Sequence, residues 1–185
     1  ATDVQKDNKD LKKRFKEVRE FLANKKPGEL DSPEVQYFKG LIRKGEALAA
    51  CRYCGVKEEN AHFQNLPFYE TGAVRKKPLS DKDVQITYDL LNKLKPHQIF
   101  AAGDLSDPHG THRVCLDVIF KAIERLVDEG SDWIRNCYVW LYRGAWQEWD
   151  IADMEMAVPI GPKDMDRKIN AIFKHQSQKD SAMFP

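Results

Sequence analysis

The sequence predicts an α/β protein with a mainly parallel sheet. Three short runs rich in aromatic and β-branched residues, 61–68, 97–103 and 137–143, each end at Gly, Pro or a charged residue, which is typical of strands. Segments with helical spacing, 80–96 and 109–130, lie between them. Strands that alternate with helices indicate βα units on a parallel sheet, in which ligands bind at the carboxyl ends of the strands.

Length and composition limit the possible classes of protein. A chain of 185 residues and 21.4 kDa predicts a single domain over residues 1–185. Lys and Arg total 30 against 29 acidic residues, and a net charge of +1 does not favour nucleic acid or an anionic membrane as a partner. No apolar run reaches the ~18 residues that span a bilayer, and the charged N-terminus does not resemble a signal peptide.

The first two helices are predicted from their capping residues. Residues 2–24 carry a sparse apolar stripe on a heavily charged body, which predicts a surface helix. The second helix is expected over 32–55, with Ser32 as N-cap, Pro33 at the first helical position and Gly55 as its stop. Its apolar content predicts that it is more buried than the first.

The segment 109–130 is the most clearly amphipathic part of the chain. It presents one apolar face at helical spacing, formed by Val114, Val118, Ile119, Ala122, Ile123 and Leu126.

The four cysteines indicate a reducing compartment. Cys51, Cys54, Cys115 and Cys137 are too few and too irregularly spaced for a disulfide scaffold, so a cytoplasmic location is expected. Cys51 and Cys54 form a C-x-x-C pair, but no second pair completes a Cys₄ zinc site. The pair also lies late in a predicted helix, where a thiolate is not favoured.

Two groups of conspicuous side chains have an ordinary structural interpretation. His175 is expected on a C-terminal helix, in a packing or capping role rather than a catalytic one. Trp140, Trp146 and Trp149 are able to stack on a sugar, but core or edge packing is the commoner use of tryptophan.

The stretch DPHGTHR, residues 107–113, is the most suggestive motif from spacing alone. It follows a predicted strand, and a helix that begins near Thr111 would turn His109 and His112 toward the same crevice. H-x-x-H by itself is a weak metal motif, and the alternative is a pair of solvated turn histidines with Asp107 as a helix cap. Catalytic zinc commonly takes three protein ligands, and this stretch supplies too few.

Three stretches resemble the zinc-dependent N-acetylglucosamine deacetylases of the PIG-L/LmbE type. IRKGEALAACRYCGV (42–56) resembles the R-x-x-E-x-x-x-A-x-x-x-(L/C)-G helix of that family. DPHGTH (107–112) resembles its H-x-x-H metal loop, and KINAIFKHQSQ (168–178) its closing K-x-x-A-x-x-x-H-x-S-Q. Two further stretches, NLPFYETG and AAGDLSDPHGTHRVCLD, have a still closer resemblance. They resemble the deacetylase-like C-terminal portion of two-domain proteins labelled glucosamine-6-phosphate deaminase or isomerase.

The resemblance implies a three-layer, Rossmann-like sheet and roles for particular residues. It places His112 at the third zinc ligand, His109 at the histidine that faces the reacting carbonyl, and Arg43 at the arginine that contacts substrate. In that chemistry zinc polarises an acetamide carbonyl and lowers the pKa of its bound water. For Arg43 an intrahelical ion pair with Glu46 is the structural alternative.

The chain departs from the family pattern at one motif. Family members begin with a strand that ends in A-H-P-D-D and supplies two zinc ligands and the base, and no such stretch is present here. We therefore expect a fragment that lacks the first βα unit, follows an upstream domain of the same parent chain and has little activity or zinc of its own. Asp104 and Asp107 have no role that the resemblance transfers.

Two functions follow from this comparison. The first is a fragment of a zinc-dependent amide hydrolase that removes acetyl from an N-acetylated amino sugar or a derivative, in a parent protein linked to glucosamine-6-phosphate metabolism. The alternative is a non-catalytic binding or regulatory attachment to a glucosamine-6-phosphate deaminase/isomerase domain. An intact H-P-D-D upstream would favour the hydrolase. The sequence leaves open the amino sugar, recognition of a phosphate group and the oligomeric state.

Overall fold

The computed structural model describes residues 2–69, 76–103, 106, 108, 110–144 and 147–179, with side chains from residue 11 onward. Over these residues the secondary structure is a mixture of helices with two strands, which confirms the α/β class. The elements in chain order are α1 (Thr2–Asn24), α2 (Pro33–Tyr53), α3 (Asp81–Leu94), β1 (Gln98–Ala102), α4 (Thr111–Asp128), β2 (Tyr138–Tyr142) and α5 (Pro162–Ile172).

The described residues form two compact units. The first contains residues 2–62 and 159–179, and the second contains the described part of 63–158. The prediction of a single domain over residues 1–185 stays a prediction beside this division. None of the helices in the described part of the chain is long and apolar enough to span a membrane.

Helix α2 begins in the first unit as its capping residues predict. The Ser32 hydroxyl oxygen accepts a hydrogen bond from the Val35 N–H at 3.3 Å, and Pro33 occupies the start of the helix, where no N–H is needed. Phe15 of α1 and Phe38 of α2 pack with ring centroids 5.2 Å apart. The helix is more buried than the described side chains of α1, as its apolar content predicts: Val35 is fully buried and residues 46–51 are half-buried, whereas no side chain of α1 from residue 11 onward is fully buried.

The second unit contains a β1–α4–β2 connection. The two strands pair in parallel, with a register that runs from Gln98 opposite Tyr138 to Ala102 opposite Tyr142. Parallel neighbours require a crossover, and α4 supplies it. The strands expected at 97–103 and 137–143 are therefore confirmed, and the wider three-layer sheet stays a proposal.

The core of the second unit lies between α3, α4 and the turn that precedes β2. Helix α4 is amphipathic as predicted, although Leu116 is also buried and Ile119 is only half-buried. The buried cluster consists of Val84, Leu91, Ala122, Leu126 and Ile134.

One face of the two-stranded sheet packs against this core through Ile99, and Ala101 on the same face is buried. Side chains alternate along a strand, so the neighbouring positions point to the other face. On that face Phe100, Tyr138 and Tyr142 are each more than half exposed. The sheet thus presents a row of exposed aromatic side chains.

The strand predicted at 61–68 is wrong. Asn65 has a φ of +49°, in the left-handed region, which interrupts an extended chain. Pro67 lacks the N–H that a sheet ladder needs, and it begins a short 3₁₀ turn. Instead of pairing, the segment packs on α3: Phe68 is 1% exposed and the Thr87 hydroxyl donates to the Gln64 amide oxygen at 2.6 Å.

Candidate functional site

His112 lies in the first turn of α4, at the carboxyl end of β1. Helix α4 begins at Thr111, as the sequence predicts, and Gly110 is its N-cap residue with a φ of +66°. A residue with a side chain is strained at that angle, which explains a glycine between the two histidines. His112 is half-buried. His109, Asp104 and Asp107 lie outside the described residues.

The loop that follows β2 is a packed corner at the same end of the sheet. The Arg143 guanidinium lies 3.5 Å above the Trp149 ring, and its Nε donates to the Gly103 carbonyl at 3.2 Å. The Trp149 Nε1 donates to the Leu141 carbonyl at 2.9 Å. These contacts give Trp149 the edge-packing role that is usual for tryptophan, while Trp146 lies outside the described residues.

In the first unit, the first and the last of the three matching stretches are in contact. The Glu46 carboxylate, on α2, accepts the Ser177 N–H on Oε1 and the Ser177 hydroxyl on Oε2, both at 2.6 Å. The hydroxyl and then the N–H of Ser177 hold the pKa of Glu46 below its ordinary value, because both bonds favour the charged form. Burial opposes this effect, and the charges of His175 and Arg43 add to it.

His175 lies beside this contact but not on a helix. Helix α5 ends at Ile172, and His175 precedes a 3₁₀ turn over Gln176–Gln178, so the predicted helical position is wrong. Beyond the end of α5, Ser177 reaches Glu46. The His175 Nδ1 is buried and has no hydrogen-bond partner among the described residues.

Arg43 is exposed on α2, one turn before Glu46. Glu46 gives both of its oxygens to Ser177, and the structure shows no ion pair between Arg43 and Glu46. Arg43 acts on Glu46 only as a nearby positive charge. The intrahelical pair that the spacing allows is therefore not formed, and the substrate contact stays a prediction.

An open depression lies next to the Glu46–Ser177 contact. Its volume is about 490 Å³. The apolar part of its lining includes Ala50, Ile172 and Phe173, and the polar part is His175, Gln178 and Lys179. Its lining is therefore mainly apolar, with one cationic and two further polar side chains.

The structure brings together some of the predicted groups. The R-x-x-E and H-x-S-Q segments meet in the first unit, whereas His112 belongs to the second. Within the described ranges no three His, Cys, Asp or Glu side chains are grouped closely enough to hold a metal ion. His112 is the one predicted zinc ligand among them, so these residues alone do not make up a zinc site.

Sequence reasoning did not find the Glu46–Ser177 contact. The one available signal was that Glu46 and Ser177 both lie in stretches that resemble the same family. Nothing in the sequence indicates that the two side chains touch.

The fold and these contacts define a protein of the α/β class with a parallel βαβ unit. No family model matches the chain, and no solved structure matches it either. The chain is 51% identical over 174 residues to a protein of Bacteroides thetaiotaomicron named "Putative glucosamine-6-phosphate deaminase-like protein". The match covers 94% of this chain and 26% of that protein, so the chain spans about a quarter of the length of its curated relative.

Proposed function

We propose that the chain is the C-terminal part of a PIG-L/LmbE-like amide hydrolase domain within a longer protein of amino-sugar metabolism. The complete domain is zinc-dependent and removes acetyl from an N-acetylated amino sugar or a derivative. The observation that carries this proposal is the contact between Glu46 and Ser177.

This contact supports the resemblance independently of the sequence pattern. Glu46 belongs to the first of the three matching stretches and Ser177 to the last, 131 residues further along the chain. If the matches to these two short patterns had arisen by chance, there would be no reason for their polar residues to bond to each other. Two bonds of 2.6 Å between them are expected if both stretches build one part of a common domain.

The position of His112 supports the metal-loop assignment. It follows β1 of a parallel sheet at the carboxyl end, which is where α/β folds bind ligands. The zinc itself is proposed for the complete protein, where the other ligands come from outside the described residues. The link to amino sugars is supported by the name of the Bacteroides relative, which describes that protein as deaminase-like.

The second candidate is a non-catalytic attachment to a glucosamine-6-phosphate deaminase or isomerase domain. The relative's name favours it, because that name refers to a deaminase and not to a deacetylase. The two candidates differ in whether the complete protein binds stoichiometric zinc and releases acetate.

The test uses the complete protein that carries this chain. We expect one zinc per chain and release of acetate from N-acetylglucosamine or its 6-phosphate. His112→Ala should remove the zinc, since a three-ligand site that loses one imidazole binds the metal far more weakly. His62→Ala is the matched control, because His62 is exposed and lies outside the three motifs; it should keep both zinc and activity. His109→Ala should keep the metal and lose turnover.

Two results would contradict the proposal. A His112→Ala protein that retains one zinc per chain would exclude His112 as a ligand. A wild-type protein that purifies without zinc, releases no acetate on zinc addition and still releases ammonia from glucosamine 6-phosphate would favour the attachment.

A further inference from the structure

We propose that Ser177 is a positioning residue: by holding the Glu46 carboxylate, it prevents Glu46 from pairing with Arg43 and leaves the Arg43 guanidinium available for substrate. This inference rests on the proposed function and on the contact of Arg43 with an amino-sugar substrate that the resemblance predicts. It assigns a role to Ser177, in the last of the three matching stretches, through its hydrogen bonds to Glu46 in the first stretch.

The spacing on α2 makes the competing pair easy to form. Arg43 and Glu46 are three residues apart, so their side chains are neighbours on one helical face. Without another partner, Glu46 is the nearest carboxylate on this face for Arg43. An arginine that is already paired with a carboxylate must break that pair before it binds a ligand oxygen.

Ser177 competes effectively because it supplies two donors to one carboxylate. The N–H and the hydroxyl reach different oxygens of Glu46 at 2.6 Å, which is the length of charge-assisted hydrogen bonds. An exposed ion pair between flexible side chains is a weak interaction by comparison. The lowered pKa of Glu46 is consistent with this arrangement, since Ser177 makes the two largest contributions to it.

The residues around the contact place it beside a surface that a ligand can reach. His175 and Gln178, which flank Ser177 in the chain, both line the depression of about 490 Å³. Ala50 lines it from α2, one turn beyond Glu46 on the same side of the helix as Arg43. The hydrogen-bonded pair therefore lies between Arg43 and this depression along α2.

The first measurement is binding of N-acetylglucosamine 6-phosphate to the complete protein by calorimetry. Ser177→Ala should weaken binding by about threefold, because the Arg43–Glu46 pair that then competes with the ligand is an exposed and therefore weak ion pair. The double variant Ser177→Ala/Glu46→Gln should recover the wild-type affinity within the error of the measurement, because a neutral amide no longer competes for Arg43. Ser177→Thr keeps the hydroxyl and should bind as wild type does. Ser131→Ala, which removes a hydroxyl in the other unit, is the control.

The rescue separates positioning from a purely structural role. If Ser177 only fastens the C-terminal segment to α2, the double variant loses the same contact and binds as weakly as Ser177→Ala, or more weakly. That outcome, or unchanged binding in Ser177→Ala, would overturn the inference.

A second measurement does not depend on any ligand. The carboxyl ¹³C titration of Glu46 is compared with and without Arg43→Ala, in the wild-type and the Ser177→Ala backgrounds. We expect Arg43→Ala to raise the pKa of Glu46 more in the Ser177→Ala background, where only the backbone N–H of residue 177 still competes with Arg43 for the carboxylate. Equal effects in both backgrounds would refute the competition. If the wild-type protein binds no amino sugar, the proposed function fails and this titration alone decides the role of Ser177.

Discussion

Asp83 anchors the start of α3, and its replacement should cost the second unit a large part of its stability. The side chain is 0% exposed and accepts three hydrogen bonds. Oδ2 accepts the Ser80 N–H at 2.9 Å, which is one half of a capping box, and also the Ser80 hydroxyl, and Oδ1 accepts the Phe68 N–H at 2.9 Å. The same carboxylate thus caps the helix and fixes the segment in front of it.

The size of the effect follows from these contacts. Loss of a helix cap costs about 1 kcal/mol. A buried donor left without a partner costs a further 1–3 kcal/mol, approximately, and the Phe68 N–H is such a donor. Asp83→Ala should therefore lower the free energy of unfolding by about 3 kcal/mol. Asp83→Asn keeps one acceptor oxygen and should lose less.

The assay is urea denaturation followed by tryptophan fluorescence. Asp117→Ala is the control, because Asp117 is exposed and makes only an i, i+4 ion pair with Lys121; it should change stability by about 0.5 kcal/mol or less. If Asp83→Ala has an effect as small as that of the control, the three hydrogen bonds do not stabilise the fold in the way argued here.

The stability should also depend on pH through Asp83. Burial by itself raises the pKa of this carboxyl, but the bonds from Ser80 and Phe68 outweigh burial and leave the pKa below its ordinary value. A lowered pKa in the folded state means that the stabilisation is complete above the unfolded pKa of about 3.9 and is lost as the pH falls through the folded value. Asp83→Asn should remove this component of the acid sensitivity.

Two further substitutions test the packing of the second unit. Gly103→Ala should destabilise it by about 1–3 kcal/mol, because the added Cβ would lie 2.8 Å from the Leu141 Cβ and 3.4 Å from the Trp149 ring; an unchanged urea midpoint would contradict this close approach. Leu126→Ala should lower the free energy of unfolding by about 2–5 kcal/mol in the same assay, because Leu126 is 0% exposed in the core. The control is Val127→Ala, which should cost much less because the neighbouring Val127 is 55% exposed.

Features that depend on neighbouring residues were predictable from the sequence. The start of α2 at Ser32 and Pro33 needs only the local rules of helix capping, and the start of α4 after Gly110 follows from a glycine that tolerates a positive φ. The two strands of the sheet were also identified from composition.

Features that depend on a distant partner were not predictable in this way. The run at 61–68 has the composition of a strand, yet it packs on α3 because the Phe68 N–H finds its acceptor in Asp83, fifteen residues later. For Arg43 the sequence allowed an ion pair with Glu46, and the outcome depends on Ser177, which the sequence places 131 residues away from Glu46. Local spacing defines which contacts are possible, and tertiary packing selects among them.

The described side chains on the β1 side and on the β2 side of this end of the sheet are used differently. After β2, Arg143 covers one face of Trp149 and bonds to the Gly103 carbonyl, while the indole N–H is used by Leu141. These side chains fill the corner and hold the two strands together beyond their last paired residues, so they contribute to structure. On the β1 side, α4 begins directly after Gly110 and carries His112 within its first turn. A ligand at this end of the sheet would therefore find the packed corner on the β2 side and the histidine on the β1 side, which is the side that DPHGTHR occupies in the sequence.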